Sequence, residues 1–413
     1  MKQLLTFTIV ASTISAGICL ADDANWTGWL GPKRDGWVGH FKAPTTWPSK
    51  LKKQWQTEVG AGYGSPIVVG NRVFQHSRQG GEEVVRCVDL TTGDVAWKKS
   101  YPAPFKVGGG GEYHGKGPKS CPIYADGRVF TLSISGVLTA WKADTGKKLW
   151  SRDFENLFKS GHPNWGATTS PIVDGDRVVV HFGTDDEGTL MALNVRTGNE
   201  EWQQGHVGAS YSSPLLVETN GVKQIVEWNH LFLSGIESET GKLLWKYSAP
   251  HVGTDQNMPT PTFHKGRILL GGENRGIQSI EPRRFGKSWG VKQLWHQRKV
   301  ALDMSTAVMN GKYLYGMSHY GKGRLFCLDP NSGDIKWQGP GRLGSNVTFL
   351  SIPGHIVALT DSGEVQIVAA TPDEYKKVAS YQVAETATWA PPVLLEDSLL
   401  IKDTTSLIRW SLK

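Results

Sequence analysis

His114, His162, Asn164, Trp165, Tyr211, Asp255, Asn257, Asp303, Asn346 and Trp389 fall between strand-like segments of a 413-residue chain. Side chains of these types suit binding, because aromatic faces stack on a ligand while a few amides and carboxylates fix its orientation. Taken singly, each also suits the packing of loops and the satisfaction of backbone groups. Catalytic constellations are harder to find. No G-x-S-x-G elbow occurs, and the run Gly108–Gly111 leads into no helix that would cradle a phosphate, so it reads as a loop. Glu112, Asp255 and Asp303 offer carboxylates whose separation a sequence does not give. Asp185, Asp186 and Glu187 match no calcium loop and read as a solvated hairpin turn. These patterns point to no catalytic residue and no metal ligand.

The elements that must position these side chains announce themselves by repetition. Thr92-Gly93, Thr145-Gly146, Thr197-Gly198, Thr240-Gly241 and Ser332-Gly333 are each followed, four residues after the glycine, by a tryptophan: Trp97, Trp150, Trp202, Trp245 and Trp337. Trp295 marks a degenerate copy. A period of this size signals a propeller or solenoid. An alternating strand precedes each Thr-Gly turn, and a proline-led strand opens each unit, as at Ser65-Pro66, Cys121-Pro122, Ser170-Pro171 and Ser213-Pro214. Proline is tolerated at a strand start, where one missing donor does no harm. Each unit thus supplies four antiparallel strands, and the units number eight. The seventh, from Asn346 to Ala379, lacks the tryptophan. The eighth, from Pro391 to Leu412, has only three strands, and the spare segment Lys52–Thr57 with Trp55 has the form of its missing outer strand. Pairing the two would close the ring and remove exposed edges. The expected fold is all-β: an eight-bladed β-propeller with four-stranded antiparallel blades, closed by an N-terminal strand. The loop leaving each tryptophan strand would then cross the top face near the axis, which is where the side chains named first would gather.

The Thr-Gly-x-x-x-Trp pattern and its preceding strand resemble the PQQ-binding-like, quinoprotein-type β-propeller repeat over residues 50–413. Within that family the chain is similar to the exported outer-membrane-protein assembly factor propeller. The stretch Asn25–Gly36 is also similar to a Trp/Gly-Pro-x-Arg-Asp-Gly segment that precedes the propeller in exported members. Three functions follow as expectations. The first is a non-catalytic binding or scaffold propeller that offers its top loops to a protein partner or ligand. The second, implied by the quinoprotein members, is PQQ- and calcium-dependent alcohol oxidation, with Trp165, Asn257, Asp303 and Trp389 as the cofactor-binding residues. Against it, no two cysteines adjoin to form the pair that family dehydrogenases carry over the quinone. The third is recognition of a carbohydrate or cell-wall polymer by Trp165, Trp389, Tyr63 and Tyr211.

Lys2, the apolar run Leu4–Leu20 and Ala21 have the layout of a secretory signal peptide over residues 1–21. Residues 22–49 then form a leader and 50–413 the propeller. Ile18 before Cys19 is a poor fit to lipoprotein processing. A periplasmic or secreted location is expected, with peripheral membrane contact open. Cys87, Cys121 and Cys327 remain after cleavage, an odd number that argues against a disulfide framework. Cys87 and Cys327 hold matching repeat positions, as buried core thiols would. The net charge of +7 is spread out, without the aromatic-laced basic stripe of a nucleic-acid binder. A closed ring needs no neighbour, so a monomer is expected.

Overall fold

The computed structural model describes residues 25–108, 112–154, 157 and 162–412, so the leader peptide, Cys19 and most of the Gly108–Gly111 run lie outside the described residues. Eight four-stranded antiparallel sheets follow one another around the ring. The first seven blades span 67–102, 123–152, 172–204, 215–248, 262–297, 308–338 and 347–382. The eighth contains Val393–Leu394, Ser398–Lys402 and Ser406–Ser411, with Lys52–Glu58 as its outer strand. Trp55 lies opposite Arg409, and Lys53 opposite Trp410. The N-terminal strand therefore closes the ring as the repeat count required.

The reason for Thr-Gly-x-x-x-Trp becomes visible at the outer rim. Six indoles leave their own blade and lie on the outer turn of the next, donating their N–H to a backbone carbonyl there. Trp97 donates to Ala143 (3.0 Å), Trp150 to Val195 (3.1 Å), Trp202 to Ser238 (3.2 Å), Trp295 to Pro330 (3.1 Å) and Trp337 to Thr371 (2.7 Å). Trp55 completes the circle by donating to Leu90 of the first blade at 2.8 Å. The glycine beneath five of these rings has two reasons to be glycine. Gly198 has φ +69°, and a Cβ there would stand 2.7 Å from the indole of Trp150. Cys87 and Cys327 pair with Trp97 and Trp337 in register and are buried and free, as their repeat positions implied.

A second belt runs around the inner rim through the residue that precedes each proline. The N–H of Ser65 donates to Cys121 Sγ, that of Cys121 to Ser170 Oγ and that of Ser170 to Ser213 Oγ, all at 3.0 Å. Ser213 N–H continues to Thr260 Oγ1 (3.1 Å) and Thr260 N–H to Thr306 Oγ1 (3.0 Å). Proline cannot donate, so the residue before it carries the inter-blade bond. The thiol of Cys121 takes the place of a hydroxyl in this belt.

Two seams depart from the pattern: the seventh blade's outer strand Lys377–Gln382 has no tryptophan, its Tyr381 hydroxyl donating to Pro48 O at 2.8 Å instead, and the fourth blade's tryptophan faces the other way. Trp245 turns back into its own blade, donating to Gln224 Oε1 at 2.7 Å, with Gly235 opposite it. The fifth blade has a long hairpin, Gly276–Phe285 with Ser288–Gln297, where the first four units have a Thr-Gly turn. Trp289 and Val291 of that hairpin pack on the fourth-blade core instead.

The leader does more than precede the ring. Trp26 pairs with Val68 of the first blade, and Val38 N–H donates to Ser351 O of the seventh (2.8 Å). Between them, buried Arg34 donates to Pro171 O (2.8 Å) and Ser170 O (3.1 Å) of the third. This segment crosses the axis beneath the inner strands and plugs the channel.

Gly198→Ala should cost about 1–3 kcal/mol more than Gly175→Ala, because both have positive φ but only Gly198 lies under an indole. Urea melts of the two variants check this; equal midpoints would remove the steric role of the glycine.

Candidate functional site

Above the plug the channel widens to a cavity of about 360 Å³. Trp29 and Leu30 of the leader form its floor, and Ser170, Ser213, Thr260 and Thr306 of the inner belt surround its lower part. Aromatic side chains from several blades form the upper wall. Trp165 packs against Tyr211 with centroids 5.3 Å apart, and Trp389 lies 4.7 Å from His114 and 5.9 Å from Tyr63. Met258, Met304, Asp303 and Asn346 complete the lining, together with Lys119 and Glu273.

Of the four residues nominated from sequence, the fold brings Trp165, Asp303 and Trp389 to this cavity. Asn257 is not brought there. It is fully buried, its Nδ2 donating to Asn229 O at 2.8 Å and Ala249 O at 3.2 Å, and its Oδ1 accepts from Arg275 at 2.6 Å. Its amide holds two top loops together. His251 stacks on His230 with centroids 3.9 Å apart and also lies outside the lining. Asp185 is a loop tie: it accepts the Asn164 N–H at 2.8 Å and the Tyr211 hydroxyl at 3.2 Å. Sequence reasoning missed Trp29 and Leu30, because a leader outside the repeat carries no sign of where it folds. Glu273 was missed because it sits on a turn inside a blade, between Arg267–Gly272 and Gly276–Phe285.

A family model described as outer membrane protein assembly factor BamB matches residues 81–339. The chain belongs to this family of PQQ-like propellers. The BamB of Moranella endobia (strain PCIT) is 25% identical over 348 residues, covering 80% of this chain and 84% of that protein. The BamB of Escherichia coli (strain K12) is 24% identical over 343 residues, covering 80% and 82%. The lanthanide-dependent methanol dehydrogenase of Methylacidiphilum fumariolicum (strain SolV) is 30% identical over 309 residues, which is 70% of this chain and 41% of that one. Among solved structures, BamB from Moraxella catarrhalis superposes with a TM-score of 0.63 at 14% identity, covering 87% of this chain and 97% of that one. Quinohemoprotein alcohol dehydrogenase from Comamonas testosteroni gives 0.67 at 13% identity, covering 94% and 80%. Identities this low speak for the fold alone.

In this family member the cavity wall is electrically divided. Burial and then the Asp255 carboxylate push Asp303 up to about 6, and burial followed by Asp303 and Asp255 raises Glu273. On the other side, burial holds Lys119 down to about 8, and burial together with Lys119 holds His114 down to about 4. Near neutral pH His114 is thus an uncharged ring beside Trp389. A quinone–calcium centre would need a set of oxygen donors aimed at one point. Among the described residues no three His, Cys, Asp or Glu side chains converge, and the Asn257 amide is already committed to loop backbone and Arg275.

The folded chain keeps a proton on Asp303 up to about pH 6, whereas the unfolded chain releases it near 3.8. The residue's contribution to stability therefore falls as pH rises through that window. Asp303→Asn should raise the melting midpoint by a few degrees at about pH 8 and leave it unchanged near pH 3.5. Parallel melts at both pH values check this; a pH-independent difference would contradict it.

Proposed function

We propose that this chain is an exported binding propeller that acts without catalysis, presenting the cavity and its top loops to a protein partner in assembly of outer membrane proteins. The observation that carries the reading is the cavity itself. Its aromatic wall of Tyr63, Trp165, Tyr211 and Trp389 comes from several blades, and its floor is closed by the leader. Aromatic anchors of this kind dominate partner recognition, because they exclude much water for little lost side-chain freedom. Family membership over residues 81–339, with relatives whose names specify outer membrane protein assembly, supplies the partner class. The apolar leader before Asp22 supports export to the periplasm.

A second reading, PQQ-dependent alcohol oxidation, is favoured by the methanol dehydrogenase likeness and by Asp303 and Glu273 in the cavity. The donor set described above weighs against its metal. Trp165 and Trp389 would in that case flank a planar cofactor rather than a polypeptide.

Tagged protein incubated with detergent-solubilised envelope should retain a specific membrane-protein partner, and Trp165→Ala with Trp389→Ala should lower that retention at least about tenfold. Retention of the same partner by the double variant at wild-type level would remove the cavity from the account. Titration with PQQ and Ca²⁺ should leave the quinone absorbance unchanged; a saturating change with dye reduction by an alcohol would establish the second reading instead.

A further inference from the structure

The hairpin Gly276–Phe285 with Ser288–Gln297 has ten residues on each side. Its inner neighbour Arg267–Gly272 pairs with it only as far as Ile280. Beyond that point the two strands stay in register unaided, from Glu281 opposite Lys292 to Phe285 opposite Ser288. Packing of Trp289 and Val291 on the fourth blade accounts for the length of the extension. It does not account for the tip. Phe285 is 64% exposed, and Arg283, Arg284 and Lys287 beside it are exposed as well. Glu281 offsets one of these charges by pairing with Arg283. An aromatic ring held out in water at the apex of a cationic turn is a poor design for solubility alone.

The tip has cationic company. In a four-stranded meander the first and third turns lie at the same end of the sheet, so the turn His264–Arg267 sits on the same face as Gly286. It brings Lys265 and Arg267 to that face, and burial first, then these two cations, holds the adjacent His264 below its usual range. This face is opposite the one that carries the aromatic cavity loops.

We propose that the hairpin tip docks on a bilayer surface rich in anionic phospholipid headgroups, with Arg283, Arg284 and Lys287 on the phosphates and Phe285 at the headgroup–acyl boundary. Clustered Lys and Arg bind an acidic leaflet additively, and an aromatic ring prefers the interfacial layer. A single ring within a ring of cations matches that layered surface better than it matches a protein groove, which would ask for a wider apolar patch. The proposal is independent of what the cavity holds.

Flotation of the full chain with phosphatidylcholine vesicles, with and without about one-third phosphatidylglycerol, tests it. Binding should require phosphatidylglycerol and weaken with salt. The R283E/R284E/K287E variant should bind at least about tenfold more weakly, and F285S measurably more weakly, both with unchanged melting midpoints because all four side chains are exposed. Wild-type binding by the triple variant, or equal wild-type affinity for both vesicle types, would overturn the proposal. So would capture on polyglutamate as tight as on acidic vesicles with no effect of F285S, an outcome that assigns the tip to an acidic protein instead.

Discussion

Five of the eight seams of this ring are held by an indole laid on a glycine of the neighbouring blade. The contact combines burial of a large aromatic face with one directed N–H to carbonyl bond, so it fixes both the distance and the rotation between adjacent sheets. Trp55 is the most consequential instance, because its strand is paired with the eighth blade while its ring docks on the first. Closure is thus a hydrogen-bonded seam and a latch made by the same seven residues. Without it the ring would end in two exposed strand edges.

Everything at the axis inherits its geometry from that closure. The Ser, Cys and Thr belt exists only if successive inner strands arrive at equal height and spacing, and the belt in turn sets where the top loops begin. Loops from separate blades then bring Trp165, Tyr211, Asp303 and Trp389 around one cavity. The leader closes the lower end, and Arg34 anchors it to carbonyls of the third blade. At one of the seams without the latch, between the fourth and fifth blades, the chain compensates with Trp289 and Val291 on an extended hairpin. That compensation leaves a cationic, phenylalanine-tipped projection on the face opposite the cavity.

The ring was legible because its signals are local and repeated. Thr-Gly-x-x-x-Trp encodes a turn and a docking ring within six residues, and an outer strand left over at Lys52–Thr57 answers a blade that lacks one. The nomination of Trp165, Asp303 and Trp389 for the top face rested on the same logic, since loop position follows from strand order. What stayed hidden depends on contacts across the ring. The leader has no repeat to mark its fold, so its place as a plug, and Trp29 and Leu30 as a cavity floor, could not be read. Asn257 misled because an amide near the axis has the same sequence signature whether it faces a ligand or ties loops. The docking role of the glycines was half visible: a turn needs positive φ, but the indole above belongs to a residue 38–49 positions away.

The central claim is that latch and closing strand form one unit, and hydrogen exchange tests it most directly. In the wild-type chain the paired amides of Lys52–Glu58 and Ser406–Ser411 should be protected together. In Trp55→Ala both segments should lose protection in step, while strands of the third and fourth blades keep theirs. Full protection of both segments in that variant, or loss confined to Lys52–Glu58 with Ser406–Ser411 intact, would contradict the account.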